Sequence, residues 1–301
     1  MNIEVEHKYV TVNNINLHYV TAGSPEGQTV LLIHGFPDFW YSWRQQIPAL
    51  VQAGYNIIAP DLKGYNKSDK PTGLKQYSMS ILVGEYIELL KTLGKEQVIV
   101  VGHDWGGAVA WNLAMYAPEA IEKLVVLNSP HPIPFLQKFW SIDLKQLQKS
   151  WYVLLFQLPD IPEKILPQDN FKFLRTMLHL SAINKNTFTD KDIEKYVEAW
   201  SQPDTIPAML AYYRANWNIG QLLAMSKEQQ QEMLNRFPKI SVQTLVIWGE
   251  KDGALDKSLN DGLDQLVSGS FKLKLFANAG HWVHLDLPDQ VNELLLSFLK
   301  E

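Results

Sequence analysis

Short runs of consecutive apolar residues alternate in the first half of the chain with stretches that carry apolar residues at helical spacing. The runs are TVLLIH at 29–34, NIIAP at 56–60, EQVIVVG at 96–102 and KLVVLN at 123–128. Continuous apolar strands are typical of a parallel sheet that is covered on both faces. Residues 81–93, before Gly94, and 106–117, before Pro118, are predicted helices. The alternation predicts an α/β fold with a mostly parallel, doubly wound sheet.

The two ends of the chain add further predicted strands. HKYVTV at 7–12 and INLHYVTA at 15–22 predict an opening hairpin that turns at Asn13-Asn14. TLVIWG at 244–249 and KLKLFA at 272–277 predict two late strands, and VNELLLSFLK at 291–300 predicts a final helix.

Residues 132 to 237 interrupt this pattern. They contain no buried strand run and many aromatic residues, and they are predicted to form helices separated by Pro159, Pro162, Pro167, Pro203 and Pro207. The sequence therefore predicts a core built from residues 1–131 and 238–301, with a helical cap at 132–237 inserted after about the sixth strand.

Composition narrows the classes of function. The 301 residues include no cysteine, which excludes a disulfide framework, a thiolate zinc site and a cysteine nucleophile. The formal net charge of −5 argues against nucleic acid as a partner, because a phosphate-tracking protein needs a basic face. The longest apolar runs, VLLI at 30–33 and VIVV at 98–101, are too short to span a bilayer. No signal-peptide pattern is seen in MNIEVEHKYV, so a cytoplasmic enzyme is expected. The oligomeric state is left open.

The candidate nucleophile lies in VIVVGHDWGG at 98–107, a buried strand followed by a glycine-rich turn and a helix. This is the G-x-S-x-G nucleophile elbow with Asp104 in place of serine. A carboxylate with a reference pKa of about 3.9 is ionised at neutral pH and attacks carbon without a base. The resulting alkyl ester must then be hydrolysed, which requires a base and an oxyanion hole. The alternative is that Asp104 only caps the helix, and the surrounding glycines favour the nucleophile.

Two later loops supply the base and its partner. His281 follows the last predicted strand, and Asp252 follows the strand before it. The order nucleophile, acid, histidine is the one that such elbow enzymes use. We expect Asp252 to orient His281 and His281 to take a proton from water. His284 and Asp256 are the weaker alternatives, and Asp256 is expected to cap the following helix.

The loop LLIHGFPDFW at 31–40 is the candidate oxyanion loop. We expect the backbone N–H groups of Phe36 and Trp105 to converge on the ester oxygen. The Phe36-Pro37 peptide is a candidate for the cis form, which only an X-Pro bond adopts at low cost.

Five motifs stand along the chain in order: HGFPDFWYSW, APDLKGYNKSDKP, VGHDWGG, WGEKD and GHWVHLDLP. Together they resemble those of the epoxide hydrolases of the α/β-hydrolase superfamily, and the resemblance covers nearly the whole chain. It implies the α/β-hydrolase fold with an inserted all-helical cap. One departure is Asn66, where the family usually has a second glycine. Because Asn tolerates left-handed backbone conformations, we expect the turn to be kept.

The resemblance also implies two cap tyrosines that hydrogen-bond the epoxide oxygen. WYVLLFQLP at 151–159 resembles the surroundings of the first and points to Tyr152, and YYRANW at 212–217 resembles those of the second and points to Tyr213. Tyr212 is the alternative, one position away. Phenols suit this role because the alkoxide of an opening epoxide is a poor leaving group unless it receives a hydrogen bond or a proton.

The function implied is hydrolysis of a small apolar epoxide by water to a vicinal diol, through a covalent ester on Asp104, with no cofactor and no metal. A haloalkane dehalogenase would use the same aspartate, but its halide site usually has asparagine where this chain has Phe36. A fluoroacetate dehalogenase would place arginines near the nucleophile, where this chain has Trp105 and Ala108. A non-catalytic ligand receptor on the same fold is a further alternative.

Overall fold

The computed structural model describes residues 3–301 and contains an eight-stranded sheet. Its strands are β1 Glu6–Val12, β2 Ile15–Ala22, β3 Thr29–Ile33, β4 Asn56–Pro60, β5 Val98–His103, β6 Ile121–Leu127, β7 Gln243–Gly249 and β8 Phe271–Phe276. They lie in the order β1-β2-β4-β3-β5-β6-β7-β8. β3 to β8 are parallel, whereas β2 is antiparallel to both β1 and β4. The predicted fold class, with its mostly parallel doubly wound sheet, is confirmed.

The helices surround this sheet and extend beyond it. In chain order they are α1 Gln46–Gln52, α2 Met79–Thr92, α3 Trp105–Tyr116, α4 Pro132–Trp140, α5 Leu144–Lys149, α6 Trp151–Gln157, α7 Ile161–Ile165, α8 Gln168–Ser181, α9 Asp190–Trp200, α10 Thr205–Asn216, α11 Ile219–Leu223, α12 Lys227–Asn235, α13 Val283–Asp286 and α14 Pro288–Leu299. Short 3-10 segments lie at Trp40–Trp43, Leu74–Tyr77, Pro118–Ala120, Lys257–Asn260 and Leu263–Gln265. Within residues 3–301, no helix is both long and apolar enough to cross a bilayer.

Both faces of the central strands are buried, and this explains their continuous apolar sequences. In β3, Leu31 and Ile33 pack on the side of α2 and α3, whereas Val30 and Leu32 pack on the side of α1 and α14. Side chains alternate across a strand, so a strand covered on both sides needs apolar residues at every position.

Between β6 and β7 lie the helices α4 to α12, followed by an isolated β-bridge between Ile240 and Val267. Two of the five prolines predicted to separate these helices lie inside helices instead. Pro162 is in the first turn of α7, and Pro207 is in the first turn of α10. Proline is tolerated there because its missing N–H would have no partner within the helix.

The predicted turns have the backbone conformations that their residues favour. Asn13 and Asn14 have φ values of 50° and 65°, as a tight two-residue hairpin turn requires. Asn66 has φ 42°, so the turn that differs from the family pattern is kept in a left-handed conformation. Gly94, with φ 66°, follows the end of α2.

Candidate active site

Asp104 lies at the sharp turn between β5 and α3. Its backbone has φ 50° and ψ −119°, an unusual conformation for a residue with a side chain. The turn depends on the flanking glycines: a Cβ on Gly106 would lie 2.1 Å from the carbonyl oxygen of Ile33, and one on Gly102 would lie 2.5 Å from that of Gly106. The close approach of strand and helix therefore requires glycine at both positions.

The Asp104 side chain does not cap the helix that follows it. Its Oδ1 accepts a hydrogen bond of 2.7 Å from the backbone N–H of Phe36. Gly35 makes this approach possible, since a Cβ there would lie 2.4 Å from the Cβ of Asp104. The helix-cap alternative for Asp104 therefore has no support from the geometry. In the same loop as Phe36, the Phe36-Pro37 peptide is cis.

His281 lies between two carboxylates. Its Nδ1 is 2.8 Å from Oδ2 of Asp252, and its Nε2 is 3.6 Å from Oδ2 of Asp104. Oδ1 of Asp252 accepts hydrogen bonds from the backbone N–H groups of Ala254 at 2.7 Å and Leu255 at 3.0 Å. Each of the three residues follows a parallel strand, and such strands bring their carboxyl ends to one edge of the sheet. The structure thus brings the predicted nucleophile, acid and base together.

Asn128 belongs to the same cluster, and the sequence reasoning missed it. Its Nδ2 donates a hydrogen bond of 2.7 Å to Oδ2 of Asp252, and its Oδ1 accepts one of 3.0 Å from the N–H of Gly249. Asn128 directly follows β6, which lies between β5 and β7 in the sheet. A polar residue directly after a buried strand was the signal that could have identified it.

The charges of this cluster depend on one another. Burial lowers the pKa of His281, but the carboxylates of Asp252 and Asp104 outweigh burial and raise it to about 9. Burial raises the pKa of Asp104, and the nearby His281 and the N–H groups of Phe36 and Trp105 act in the opposite direction. At neutral pH, His281 is therefore an imidazolium held between Asp252 and the candidate nucleophile.

The two weaker candidates have other partners. His284 is fully buried, its Nε2 lies 3.0 Å from Oγ of Ser42, and burial holds its pKa well below the usual range. Asp256 accepts a hydrogen bond from the N–H of Ser258 at the start of a 3-10 segment and forms an ion pair of 2.7 Å with Lys145. Neither supplies an alternative to His281 or Asp252.

Two tyrosines from the inserted helices share cavities with Asp104. Tyr152 on α6 and Tyr213 on α10 line the same cavities as Asp104, and their ring centroids are 6.0 Å apart. Burial is the main cause that raises the pKa of both phenols, and the charge of Asp104 adds to it, so both remain protonated donors at neutral pH. Tyr212 does not compete, because its hydroxyl donates a 2.7 Å hydrogen bond to the carbonyl of Lys63.

Two cavities meet at Asp104 and the two tyrosines. The larger, of about 620 Å³, also reaches His281 and lies mainly against α6 and α8. The smaller, of about 320 Å³, is lined mainly by apolar side chains, among them Trp105, Phe135, Trp217, Met233 and Phe237. A largely apolar space with a few converging polar groups is the usual form of a small-molecule site.

Comparisons with known proteins agree with this geometry. The sequence profile of the alpha/beta hydrolase fold matches residues 28–288. The AB hydrolase superfamily protein YfhM of Bacillus subtilis (strain 168) is 40% identical over 299 residues, which cover 98% of each protein. Epoxide hydrolase 1 of Caenorhabditis elegans is 36% identical over 301 residues, which cover 98% of this chain and 70% of the relative.

Solved structures show the same relationship. The crystal structure of Bacillus megaterium epoxide hydrolase in complex with an inhibitor superposes with a TM-score of 0.88 at 29% sequence identity, covering 98% of this chain and 100% of the other. Fold, profile and relatives point the same way, and the chain belongs to the epoxide hydrolase family of the α/β-hydrolase superfamily.

Proposed function

We propose that this protein hydrolyses a small, largely apolar epoxide to a vicinal diol through a covalent ester on Asp104. The observation that carries the proposal is that two protonated phenols, Tyr152 and Tyr213, line the same cavities as the carboxylate. Opening an epoxide places negative charge on its oxygen, on the side away from the attacking group. An acid pair opposite a nucleophile fits that requirement.

In the first step, Oδ2 of Asp104 attacks one epoxide carbon and breaks its bond to oxygen. Oδ2 is the oxygen assigned to attack because Oδ1 is already held by the N–H of Phe36. Tyr152 and Tyr213 hydrogen-bond the departing oxygen, and one of them protonates it. The product of this step is a hydroxyalkyl ester of Asp104.

In the second step, His281 removes a proton from water, and the resulting hydroxide attacks Cγ of the ester. The negative charge then develops on Oδ1, which already lies in the oxyanion loop beside the N–H of Phe36. Trp105, at the N-terminus of α3, supplies the second donor in this proposal. Collapse of the intermediate breaks the bond from Cγ to Oδ2, and the departing alkoxide takes the proton of the new carboxyl group, which releases the diol and restores the Asp104 carboxylate.

The first step prepares His281 for the second. In the free enzyme, the carboxylates of Asp252 and Asp104 raise the pKa of His281 to about 9 despite its burial. Esterification removes the negative charge of Asp104, so the pKa of His281 falls toward neutrality. The imidazolium can then give up its proton, which restores the phenol that protonated the epoxide oxygen, and His281 acts as a base only after an ester has formed.

Residues 132–237 serve as a cap in this proposal, because α6 and α10 supply the two tyrosines that line the cavities of Asp104. The reacting groups are protein side chains and water, so no cofactor takes part. The apolar lining of the smaller cavity favours an apolar substituent on the epoxide. A cytoplasmic location belongs to the same proposal.

A turnover panel tests the proposed function. Purified protein would be given styrene-type, aliphatic and fatty-acid epoxides beside chloro- and bromoalkanes of similar size, with Asp104→Ala as the control. We expect diol formation from one or more epoxides and none in the control. Halide release at a higher catalytic efficiency than diol formation would instead support a haloalkane dehalogenase, and activity retained in Asp104→Ala would remove Asp104 as the nucleophile.

A further inference from the structure

Helix α6 is apolar around nearly its whole circumference, although only one side of it is covered. Tyr152 and Phe156 face the core of the molecule, and Phe156 is fully buried. On the opposite side, Trp151, Leu154 and Leu158 are 53%, 54% and 43% exposed. A helix that is apolar on all sides is normally buried on all sides. The outward side of α6 is therefore exposed, although its sequence is typical of a buried helix.

Neighbouring helices extend this apolar surface. Ile161 and Ile165 on α7 are partly exposed, and Leu180 on α8 is 79% exposed. We call the combined surface the outer insertion face, and it consists of Trp151, Leu154, Leu158, Ile161, Ile165 and Leu180. Contiguous apolar surface of this kind marks a place of contact with a partner or a membrane.

Part of the outer insertion face borders the larger cavity. Trp151, Ile165 and Leu180 are exposed to solvent and also line that cavity. A partner that covers this face would therefore also lie against the opening of the cavity that leads to Asp104. If that partner is apolar, an apolar molecule could move from it into the cavity without passing through water.

Free cations border the same entrance. Lys172 and Lys251 line the cavity and are exposed, and exposed Lys164 lies between Ile161 and Ile165 on α7. None of the three lysines is within 4.0 Å of a carboxylate in the part of the chain that the structure describes. These cations stand out in a protein with a formal net charge of −5. They outnumber the exposed carboxylates nearby, Asp160 and Asp169, so the occupant of the outer insertion face should be both apolar and negatively charged.

We propose that the outer insertion face docks on the surface of a membrane that contains anionic lipid. Exposed Trp and Leu side chains beside lysines are the combination that binds the boundary between headgroups and acyl chains. For the proposed epoxide hydrolysis, on which this consequence rests, docking lets an apolar epoxide pass from the lipid into the cavity. The docking itself does not depend on the reaction.

A second copy of the chain is a poorer occupant. A two-fold symmetric contact through this face brings the same patch of both copies together. Lys164, Lys172 and Lys251 outnumber Asp160 and Asp169, the exposed carboxylates beside them, so such a contact would bring two surfaces of net positive charge together. Like charges brought together in this way are destabilising. An anionic lipid surface meets the same lysines with opposite charge.

Vesicle co-sedimentation tests the proposal, with vesicles of phosphatidylcholine alone and of phosphatidylcholine mixed with phosphatidylglycerol. We expect wild-type protein to bind the mixed vesicles more strongly. The double variant L154S/L158S, which leaves the lining of the larger cavity intact, should bind them roughly tenfold more weakly or worse. Lys164→Glu should reduce the preference for mixed vesicles roughly tenfold. The matched control is Leu74→Ser, a similarly exposed leucine outside the insertion, which should bind as wild type does.

Failure of docking and failure of the proposed reaction give different results. Turnover of water-soluble styrene oxide should be unchanged in L154S/L158S, and thermal unfolding should show that the variant is folded. Wild-type protein that binds neither kind of vesicle, or variants that bind as wild type does, would overturn the docking proposal. So would dimerisation of wild type at micromolar concentration that L154S/L158S abolishes. Vesicle binding without turnover of any epoxide would leave docking intact and remove only the reaction.

Discussion

Oδ2 of Asp104 lies 3.6 Å from Nε2 of His281, on the side of the carboxylate that is not held by the oxyanion loop. In the proposed mechanism, this arrangement gives the two oxygens of Asp104 different tasks. Oδ2 is free to attack carbon, and Oδ1 is already where negative charge will develop when the ester is hydrolysed. In the proposed mechanism, the same His281 nitrogen takes the proton from water in the second step.

Replacing the two tyrosines should block ring opening selectively. Removal of one such donor costs roughly 10²–10³-fold in comparable sites, so Tyr152→Phe and Tyr213→Phe together should nearly eliminate epoxide turnover. Any haloalkane turnover should fall far less, because a departing halide needs no proton. Steady-state kinetics on both substrate classes check this. Tyr212→Phe is the matched control and should retain epoxide turnover, since its hydroxyl bonds the carbonyl of Lys63. Near wild-type epoxide turnover in the double variant would remove the tyrosines from the mechanism.

Changing His281 to Gln should separate the two steps. Asp104 attacks without help from a base, whereas water does not. We expect intact-protein mass spectrometry of His281→Gln after substrate addition to show a covalent adduct that persists. The Asp104→Ala/His281→Gln double variant should show none. Absence of an adduct in His281→Gln, with substrate binding demonstrated, would count against the two-step scheme.

Ester hydrolysis should speed up as pH rises. His281 is a base only when neutral, and it is protonated below its pKa, which is about 9 in the free enzyme. Loss of the Asp104 charge in the ester lowers that pKa, so the hydrolysis rate should rise through a midpoint below about 9 and then level off. Stopped-flow tryptophan fluorescence can follow both steps because Trp105 and Trp282 adjoin the site. A hydrolysis rate that falls with rising pH would exclude His281 as the base.

Replacing Asn128 should slow ester hydrolysis more than ester formation. Its hydrogen bond to Asp252 helps to keep that carboxylate ionised and oriented toward His281. Asn128→Gly should slow ester hydrolysis roughly 10–100-fold, the worth of a hydrogen bond to a charged group, and leave ester formation nearly unchanged. Asn128→Ala should be less stable by a further ~1–2 kcal/mol, because φ at this position is 38°. Equal slowing of both steps in Asn128→Gly would assign Asn128 a structural role only.

Most of the sheet could be predicted from the sequence because its central strands are buried on both faces and therefore apolar throughout. The antiparallel pairing of β2 with β4 could not, since nothing in the sequence of β2 distinguishes one neighbouring strand from another. Pro162 and Pro207 misled the helix assignment because proline in a first turn and proline between helices look alike without the structure.

A site residue could be predicted where a reactive residue type stands in a recognisable motif, as Asp104 does in its glycine-rich elbow. Asn128 was not, because its role consists of contacts with Asp252 and Gly249, more than a hundred residues away in the chain. The choice between Tyr212 and Tyr213 also needed the structure. Adjacent helical residues point in directions about 100° apart, and only the packing of α10 decides which one faces the cavity.

The most direct test of the ester on Asp104 is a single turnover in water labelled with ¹⁸O, with enzyme in excess over epoxide. The account predicts that the diol of this first turnover contains no ¹⁸O, because its new oxygen comes from Oδ2 of Asp104. A proteolytic fragment containing Asp104 should carry the ¹⁸O instead. A diol that contains ¹⁸O after the first turnover, with Asp104 unlabelled, would mean that water attacks the epoxide directly and would contradict the account.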